Sequence, residues 1–554
     1  KARALFEAED FGNTIATCNT LIQKYPDSQF RTQAEFFIAE STYWNEGSKA
    51  SYQSARQKYQ DLLKQDTTDE WAEKYRFGIG WTYFSEAMLS SPKERNQLYQ
   101  QAIQTWQKMI QRYPSGKFAD QAQYHVGVAQ SNLRRYQPAI TTFETVLKTY
   151  QGSTWRDDAQ YQIGWAYYKL ERYNDAAAAF QKQLRSFPAS RLEPKAVFGI
   201  ANAYFKLGNY TSAITEYQRV VEKFPNLKVQ TGQPGAEKVV DLRPEAQYYA
   251  AESYVNLRNY QKAIQAYQKV IQHYPKSSWA DDAQYGIATA YEDLGEEKKA
   301  LETYRRLIKR YPSSALAPDV QIHIGRFYFS EKNYSRAISE FQKVIEQYGR
   351  SETASLAQYH IGKSYLEIGS FRQAIAAFQK VAPESELAAT ARCDAGRIWY
   401  NKNNPGRNLK NAIKTFLDLV KKYPRSNDAP RALLLAGNCY QELLEWQKAA
   451  DIYQQILNQY NNSEQAKIAQ LLLGHAYRSQ KKYSSALTAY TVIRDGGTDH
   501  YPVEMVIDAE LRLAETLTLS GQYYESGSTY LRVRHLREQH NPLTALHAAV
   551  RAAD

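Results

Sequence analysis

Cysteine is scarce in this chain, with Cys18, Cys393 and Cys439 the only three among 554 residues and none in a CxxC pair. That spacing argues against a thiolate zinc site, a redox dithiol or a disulfide framework, and fits small buried residues instead. Histidine is sparse too, at nine, and no HExxH occurs. GxxxxGK(S/T), a GxGxxG following a strand and GxSxG are all absent, which removes the common sequence grounds for phosphate cradles, dinucleotide folds and nucleophile elbows. Long apolar runs are missing: the densest, ALLLAG at 432–437, is far short of the roughly 20 residues that a spanning helix needs. The charge is +12 with a pI near 9.1, yet no block of five or six like charges exists. The cations come in scattered pairs such as Arg134-Arg135, Lys421-Lys422 and Lys481-Lys482, a solvated surface rather than a nucleic-acid stripe. No enzyme activity, cofactor, metal site or nucleic-acid partner is expected.

What the chain has in abundance is repetition. An aromatic-proline pair stands at Tyr113-Pro114, Phe187-Pro188, Phe224-Pro225, Tyr274-Pro275, Tyr311-Pro312 and Tyr423-Pro424, with degenerate copies at Tyr150, Tyr348 and Tyr460. From 113 to 150, 187 and 224, from 274 to 311 and 348, and from 423 to 460, the step is 37. Small residues keep the same beat at Gly127, Gly164, Ala201, Ala251, Ala288, Gly325, Gly362, Gly437 and Gly474. A third marker follows at Ala139, Ala176, Ala213, Ala263, Ala300, Ala337, Ala374, Ala412, Ala449 and Ala486. Within a unit the spacing is helical. Ile163, Gly164, Tyr167 and Leu170 form one apolar stripe, and Tyr173, Ala176, Phe180 and Leu184 form a second beyond a break near 171–172. Each unit therefore reads as two antiparallel helices, with the proline ending the second. A lone pair cannot bury both faces, so the units must stack on one another.

This register also disposes of a tempting motif. In IQHYPKSSWADDAQYGIATAY, residues 271–291, the set His273, Ser277, Asp281 and Asp282 carries the residue types of a nucleophilic triad. At the position of His273 the sister units carry Arg112, Thr149, Ser186, Lys223 and Arg310, polar residues suited to a helix C-terminus. Ser277 recurs as Ser153, Ser190, Ser314 and Ser426, and Asp281-Asp282 as Asp157-Asp158 at a helix start. The stretch is a joint between units.

Small residue, Tyr three later, Ala twelve later, aromatic sixteen later and Pro twenty-four later (Gly164, Tyr167, Ala176, Phe180 and Pro188) resemble the tetratricopeptide repeat, over nearly the whole chain. The resemblance implies an all-α, right-handed α-solenoid superhelix of about 13–14 tandem helix hairpins, with first helices lining a concave face that holds protein partners. The 37-residue step and the phrase YPxSxxAxxAxYxIG resemble a bacterial envelope branch, that of the outer-membrane β-barrel assembly lipoprotein and the Tol-Pal-associated periplasmic proteins. This implies a periplasmic or outer-membrane-associated location.

The expected organisation is an N-terminal array over 1–225, an inserted loop at 226–245, a C-terminal array over 246–540, and a terminal helix or incomplete unit at 541–554. Residues 1–26 match only the second half of a unit, so a preceding segment, signal or lipid anchor is expected. Smaller inserts fall at 85–96 and 403–408 within hairpins and at 495–502.

The first-helix position three before the small residue carries Tyr124, Tyr161, Phe198, Tyr248, Tyr285 and Tyr359. Such residues serve either as a peptide-contacting wall or as plain packing. Positions one and four after the small residue complete the expected groove: Trp165, Tyr168, Asn202, Phe205, Arg326, Lys363, Arg397, Tyr400, Asn438 and Arg478. This row is acidic near 252–293 and basic near 326–397. The Lys/Asn carboxylate clamp of some family members is not reproduced: Lys195 and Asn202 fit it, but Phe198 stands where it needs lysine. The equivalent histidines His125, His323 and His360 are expected to be exposed or at the groove edge. The reading that follows is a non-catalytic scaffold for protein partners. The alternatives are a module that binds a polysaccharide or anionic polymer along a basic, aromatic groove, and a subunit of an enzyme whose catalytic domain lies elsewhere.

Overall fold

The computed structural model describes residues 1–65, 68–224, 228–231, 238–349 and 351–540. The terminal unit expected over 541–554 lies outside the described residues, as does part of the insert. Among the described residues the fold is all-α, 28 helices in antiparallel pairs, apart from one short strand pair.

Contacts divide the chain into two compact units, Lys1–Thr303 and Tyr304–Asp554. The division falls inside helix α16 and not at the insert. In the first unit the pairs are α1/α2 (Ala2–Glu7, Phe11–Lys24), α3/α4 (Arg31–Glu46, Lys49–Lys64), α5/α6 (Asp69–Met88, Pro92–Arg112) and α7/α8 (Ala119–Asn132, Tyr136–Thr149). They continue with α9/α10 (Arg156–Lys169, Tyr173–Ser186), α11/α12 (Glu193–Lys206, Tyr210–Lys223) and α13/α14 (Arg243–Asn256, Tyr260–His273), then α15 (Ala280–Asp293) and α16 (Glu297–Arg310). In the second unit they are α17/α18 (Ala317–Ser330, Tyr334–Tyr348), α19/α20 (Glu352–Glu367, Phe371–Gln379) and α21/α22 (Ala388–Tyr400, Leu409–Lys422). The last three are α23/α24 (Ala429–Glu442, Trp446–Gln459), α25/α26 (Glu464–Ser479, Tyr483–His500) and α27/α28 (Val503–Leu519, Tyr523–His540).

Most turns between paired helices are closed in the same way. One residue takes the left-handed conformation, a glycine at Gly208 and Gly369 (φ 74 and 81) but Glu171, Lys332 and Leu444 (φ 60, 58 and 61) in sister turns. An asparagine then caps several second helices: Asn333 Oδ1 accepts from Arg336 N–H at 3.3 Å and Asn408 from Asn411 at 3.0 Å. Between units the bridging serines Ser153, Ser190 and Ser426 accept a backbone N–H two residues on. The joint tyrosines reach back one repeat, Tyr423 donating to Pro383 O and Tyr460 to Pro424 O at 2.9 and 2.8 Å.

The small residue of the first helix sits under the aromatic ring of a second helix. A Cβ on Gly325 would come within 2.4 Å of the Phe341 ring, and one on Gly396 within 2.4 Å of Phe416, so only glycine lets these helices close up. The recurring alanines Ala176, Ala337 and Ala449 are wholly buried in the return contact.

The inserts are absorbed in three ways. The one at 85–96 lengthens both helices of its pair, α5 and α6, because the apolar spacing continues through Tyr99, Ala102, Ile103 and Trp106. The one at 495–502 prolongs α26 to His500, with a break at Gly497 (φ 55). The expected loop at 226–245 contains an antiparallel strand pair, β1 (Lys228–Thr231) and β2 (Lys238–Asp241), with Val229 opposite Val240. Helices α12 and α13 still pack directly on each other, so the excursion does not interrupt the stack.

Candidate protein-interaction face

First helices touch one another side by side, α17 with α19, α21 with α23 and α23 with α25 in the second unit, and α9 with α11 and α13 with α15 in the first. No pair of second helices makes a comparable contact among the described residues. The stack is thus tighter on the first-helix side, and a row of first-helix side chains is brought to one face in each unit.

The second-helix aromatic decides what that row can do. Where it is tyrosine, its buried hydroxyl needs a partner, and in four repeats the residue just after the small one supplies it, whereas Tyr304 instead meets His323 Nδ1 of the next first helix at 3.4 Å. Tyr217 donates to Asn202 Oδ1 at 2.7 Å, Tyr453 to Asn438 Oδ1 at 2.8 Å and Gln441 Oε1 at 3.0 Å, and Tyr59 and Tyr267 to the carboxylates of Glu40 and Glu252. Tyr490 and His475 face each other at 5.8 Å between rings without a bond. Where it is phenylalanine no hydroxyl has to be satisfied. The same position then carries Val128, Trp165, Arg326, Lys363 and Arg397, opposite Phe143, Phe180, Phe341, Phe378 and Phe416. Three of these phenylalanine-type repeats are consecutive, and they put Arg326, Lys363 and Arg397 at one register on α17, α19 and α21.

Of the residues expected to form the groove, several are instead used internally. Tyr124 is 6 % exposed and stacks on Trp155 at 4.8 Å. Phe198 is also 6 % exposed and packs on Tyr217. Tyr161 packs at a tilt on Phe180, and burial pushes its hydroxyl up to about 12. Tyr248 lies against Trp279 and Tyr267, and Phe205 against Tyr210 and Tyr249. Asn202 and Asn438 are occupied by tyrosine hydroxyls, and Arg478 pairs with Glu515. Tyr285 is half-buried on α15. The reason is geometric. The position three before the small residue shares its helix face, and that face is the interhelical one. His125, expected to be exposed or at the groove edge, is instead buried among Trp81, Trp106, Tyr124 and Trp155, and burial drives it down to about 3.

The remaining groove residues keep free surface. In the first unit Trp165 and Tyr168 meet edge to face at 5.2 Å and stay half-buried. In the second unit α19, α21 and α23 enclose an open cleft of about 630 Å³. Lys363, Arg397, Lys402 and Arg431 line it with Leu366, Tyr400 and Leu435, against the single carboxylate of Asp394. Asp394 is fully engaged: Tyr359 donates to one oxygen at 2.9 Å and Arg397 to the other at 3.1 Å. Among the described residues Arg326, Lys363, Lys402 and Arg431 make no ion pair. The field of the first two is felt by His360, which stacks on Phe341 at 5.0 Å and is held near 4, first by burial and then by Arg326 and Lys363.

Two of the cleft's cations were not among the residues expected to form the groove. Arg431 stands six before Gly437, where sister helices carry Asp158, Glu245, Asp282 and Asp319. An acid there suits the helix N-terminus and an arginine does not, so this exchange was the available signal. Lys402 is supplied by the insert at 403–408 and its flank. That turn is ordered by buried Asn404, whose amide donates to Ile398 O at 3.0 Å and whose Oδ1 accepts from Gly406 N–H at 2.9 Å.

Stacked helical hairpins, with no strand core among the described residues, define an all-α repeat solenoid. Sequence profiles of the tetratricopeptide repeat match residues 121–153, 161–227, 245–277, 282–314, 319–351, 359–427 and 431–463, together more than half of the chain. The chain belongs to the tetratricopeptide-repeat family. Among solved structures it is similar to the MamA protein, at 20% identity over 36% of this chain and 94% of that one (TM-score 0.29). It is also similar to the Naa15/Naa10 complex bound to HypK-THB, at 12% identity over 100% of this chain and 78% of that one (TM-score 0.35). No curated protein matches the sequence.

Proposed function

We propose that the protein is a non-catalytic scaffold that holds protein partners on the first-helix face of its second unit. The supporting observation is the cleft between α19, α21 and α23. Lys363, Lys402 and Arg431 there carry no ion pair among the described residues, and Arg397, though paired with Asp394, stays exposed. Asn202, Asn438 and Arg478, by contrast, are spent on their own or neighbouring repeats. A mixed aromatic and basic rim of this kind gives anchoring area with directional polar contacts.

The test is site-specific photo-crosslinking in native extract, with benzoylphenylalanine replacing Tyr400 or, on the second-helix side, Lys421. Discrete protein adducts from position 400 and none from 421 are expected. Equal labelling at both sites, or none at either, would remove the reading.

A second reading, an anionic polysaccharide or other polymer on the same face, draws on the same cations, and adducts lacking protein would favour it. For location we propose the bacterial periplasm or outer-membrane surface, on the 37-residue repeat phrase alone. Among the described residues no helix is long and apolar enough to cross a membrane, so association there would run through a partner or a preceding segment. Recovery of the full-length protein in the cytosolic fraction would refute that placement.

A further inference from the structure

The stripe built by the three consecutive phenylalanine-type repeats has both a sign and a spacing. Arg326, Lys363 and Arg397 occupy one register on α17, α19 and α21, and Arg431, about two turns nearer its helix start than the register position Asn438, adds a cation on the cleft's far wall. Packed helices lie about 8–10 Å apart; α17 packs beside α19 and α21 beside α23, and Tyr359 of α19 bonds Asp394 of α21 across the gap between those pairs. An extended or polyproline-type chain advances roughly 3.1–3.4 Å per residue, so every third residue travels about one helix spacing. A chain crossing the helices would bring positions i, i+3 and i+6 to successive cations.

We propose that this stripe binds an extended acidic segment of a partner protein, with carboxylates at every third residue seated on Arg326, Lys363 and Arg397 and with Arg431 as a flanking cation. This rests on the scaffold reading and names its ligand chemistry. The charge complementarity is specific to these repeats. In four tyrosine-type repeats the equivalent side chain, Glu40, Asn202, Glu252 or Asn438, is already held by a hydroxyl, and the lone acid of the cleft, Asp394, is held by Tyr359 and Arg397. Leu366 and Tyr400 give the segment an apolar floor between its acids. The short turn carrying Lys402 also lines the cleft.

The test uses the full chain and fluorescein-labelled peptides of about twelve residues, long enough to cross four helices when extended. One is a Glu-Pro-Pro repeat. The other has the same composition with all the glutamates together. Anisotropy titrations should show the spaced peptide binding more tightly, weakening as salt rises because the contacts are ionic. Lys363→Glu with Arg397→Glu should weaken binding about tenfold or more, since attraction becomes repulsion. Lys421→Glu with Lys422→Glu, an equal charge change on exposed second-helix positions, should leave it unchanged. Unaltered circular dichroism melts keep the comparison a matter of binding and not of folding. Equal affinity for both peptides, or dextran sulfate binding that survives the Lys363/Arg397 reversal, would overturn the proposal. No binding of either peptide would also overturn it while leaving the scaffold reading to the crosslinking result.

Discussion

Helices α13 and α15 in the first unit and α17, α19 and α21 in the second occupy equivalent places in their repeats, yet they use their charges in opposite ways. On α13, Glu252 accepts the hydroxyl of Tyr267. Burial raises the carboxyl of Glu245, and burial together with Asp281 and Glu252 raises that of Asp282. These acids are drawn into the packing. In the second unit Arg326 and Arg397 stand exposed on rings that carry no hydroxyl. A sign change along a repeat face is therefore not a map of binding sites until the internal bonds have been subtracted. One atom, the phenolic oxygen of the second-helix aromatic, separates the two regions.

If this comparison is right, the rings should matter equally and the hydroxyls unequally. Tyr267→Ala and Phe378→Ala should each cost about 3–5 kcal/mol, the usual cost of emptying a large buried ring site. Native-state hydrogen exchange can read this locally, because a repeat array need not unfold as one unit. Phe378→Tyr should cost about 1–3 kcal/mol, since Lys363 offers the new buried hydroxyl no acceptor. Asn202→Ala should cost a similar amount by orphaning Tyr217, and adding Tyr217→Phe should recover most of the loss. Absence of that rescue would break the comparison.

Acid sharpens it further. His125 and His360 are held near 3 and 4, below the ordinary 6.5, so the unfolded chain binds more protons between those values and 6.5. Their stabilisation is full above 6.5 and is lost as pH falls toward 4, by up to about 1.4 kcal/mol per unit for each histidine. Added salt should raise the value of His360, which has Arg326 and Lys363 beside it, and leave that of His125, ringed by aromatics, in place. Proton NMR titration of the two imidazoles measures both. The smallest effect concerns the turns: Leu444→Gly should stabilise by about 0.5–1 kcal/mol by relieving left-handed strain, net of the added chain entropy.

The 37-residue step, the paired helices, the glycine-ring contacts and the serine joints were legible in the sequence because each follows from a local rule repeated in register. The strand pair near Val229 and Val240 was not, since its flanking Gly and Pro read as loop. The groove was legible only in part. Tyr124, Phe198 and Tyr248 were placed on a wall although their spacing from the small residue puts them on the packed face. Arg326 and Lys363 carry no ion pair among the described residues, and Arg397 is exposed although it pairs with Asp394. The pairing of Tyr217 with Asn202 and of Phe378 with Lys363 is written in the sequence, fifteen residues apart, but it is invisible until the fold shows that the two positions touch.

The most direct measurement converts one repeat type into the other. Asn438→Arg with Tyr453→Phe should add a fourth phenylalanine-type repeat beside the existing three. Anisotropy with a Glu-Pro-Pro peptide lengthened by one unit should then show about two- to fivefold tighter binding than to the parent chain, the gain of one exposed ion pair. Unchanged or weaker binding by a variant that melts like the parent would contradict the claim that the ring's hydroxyl decides which repeats are free to bind.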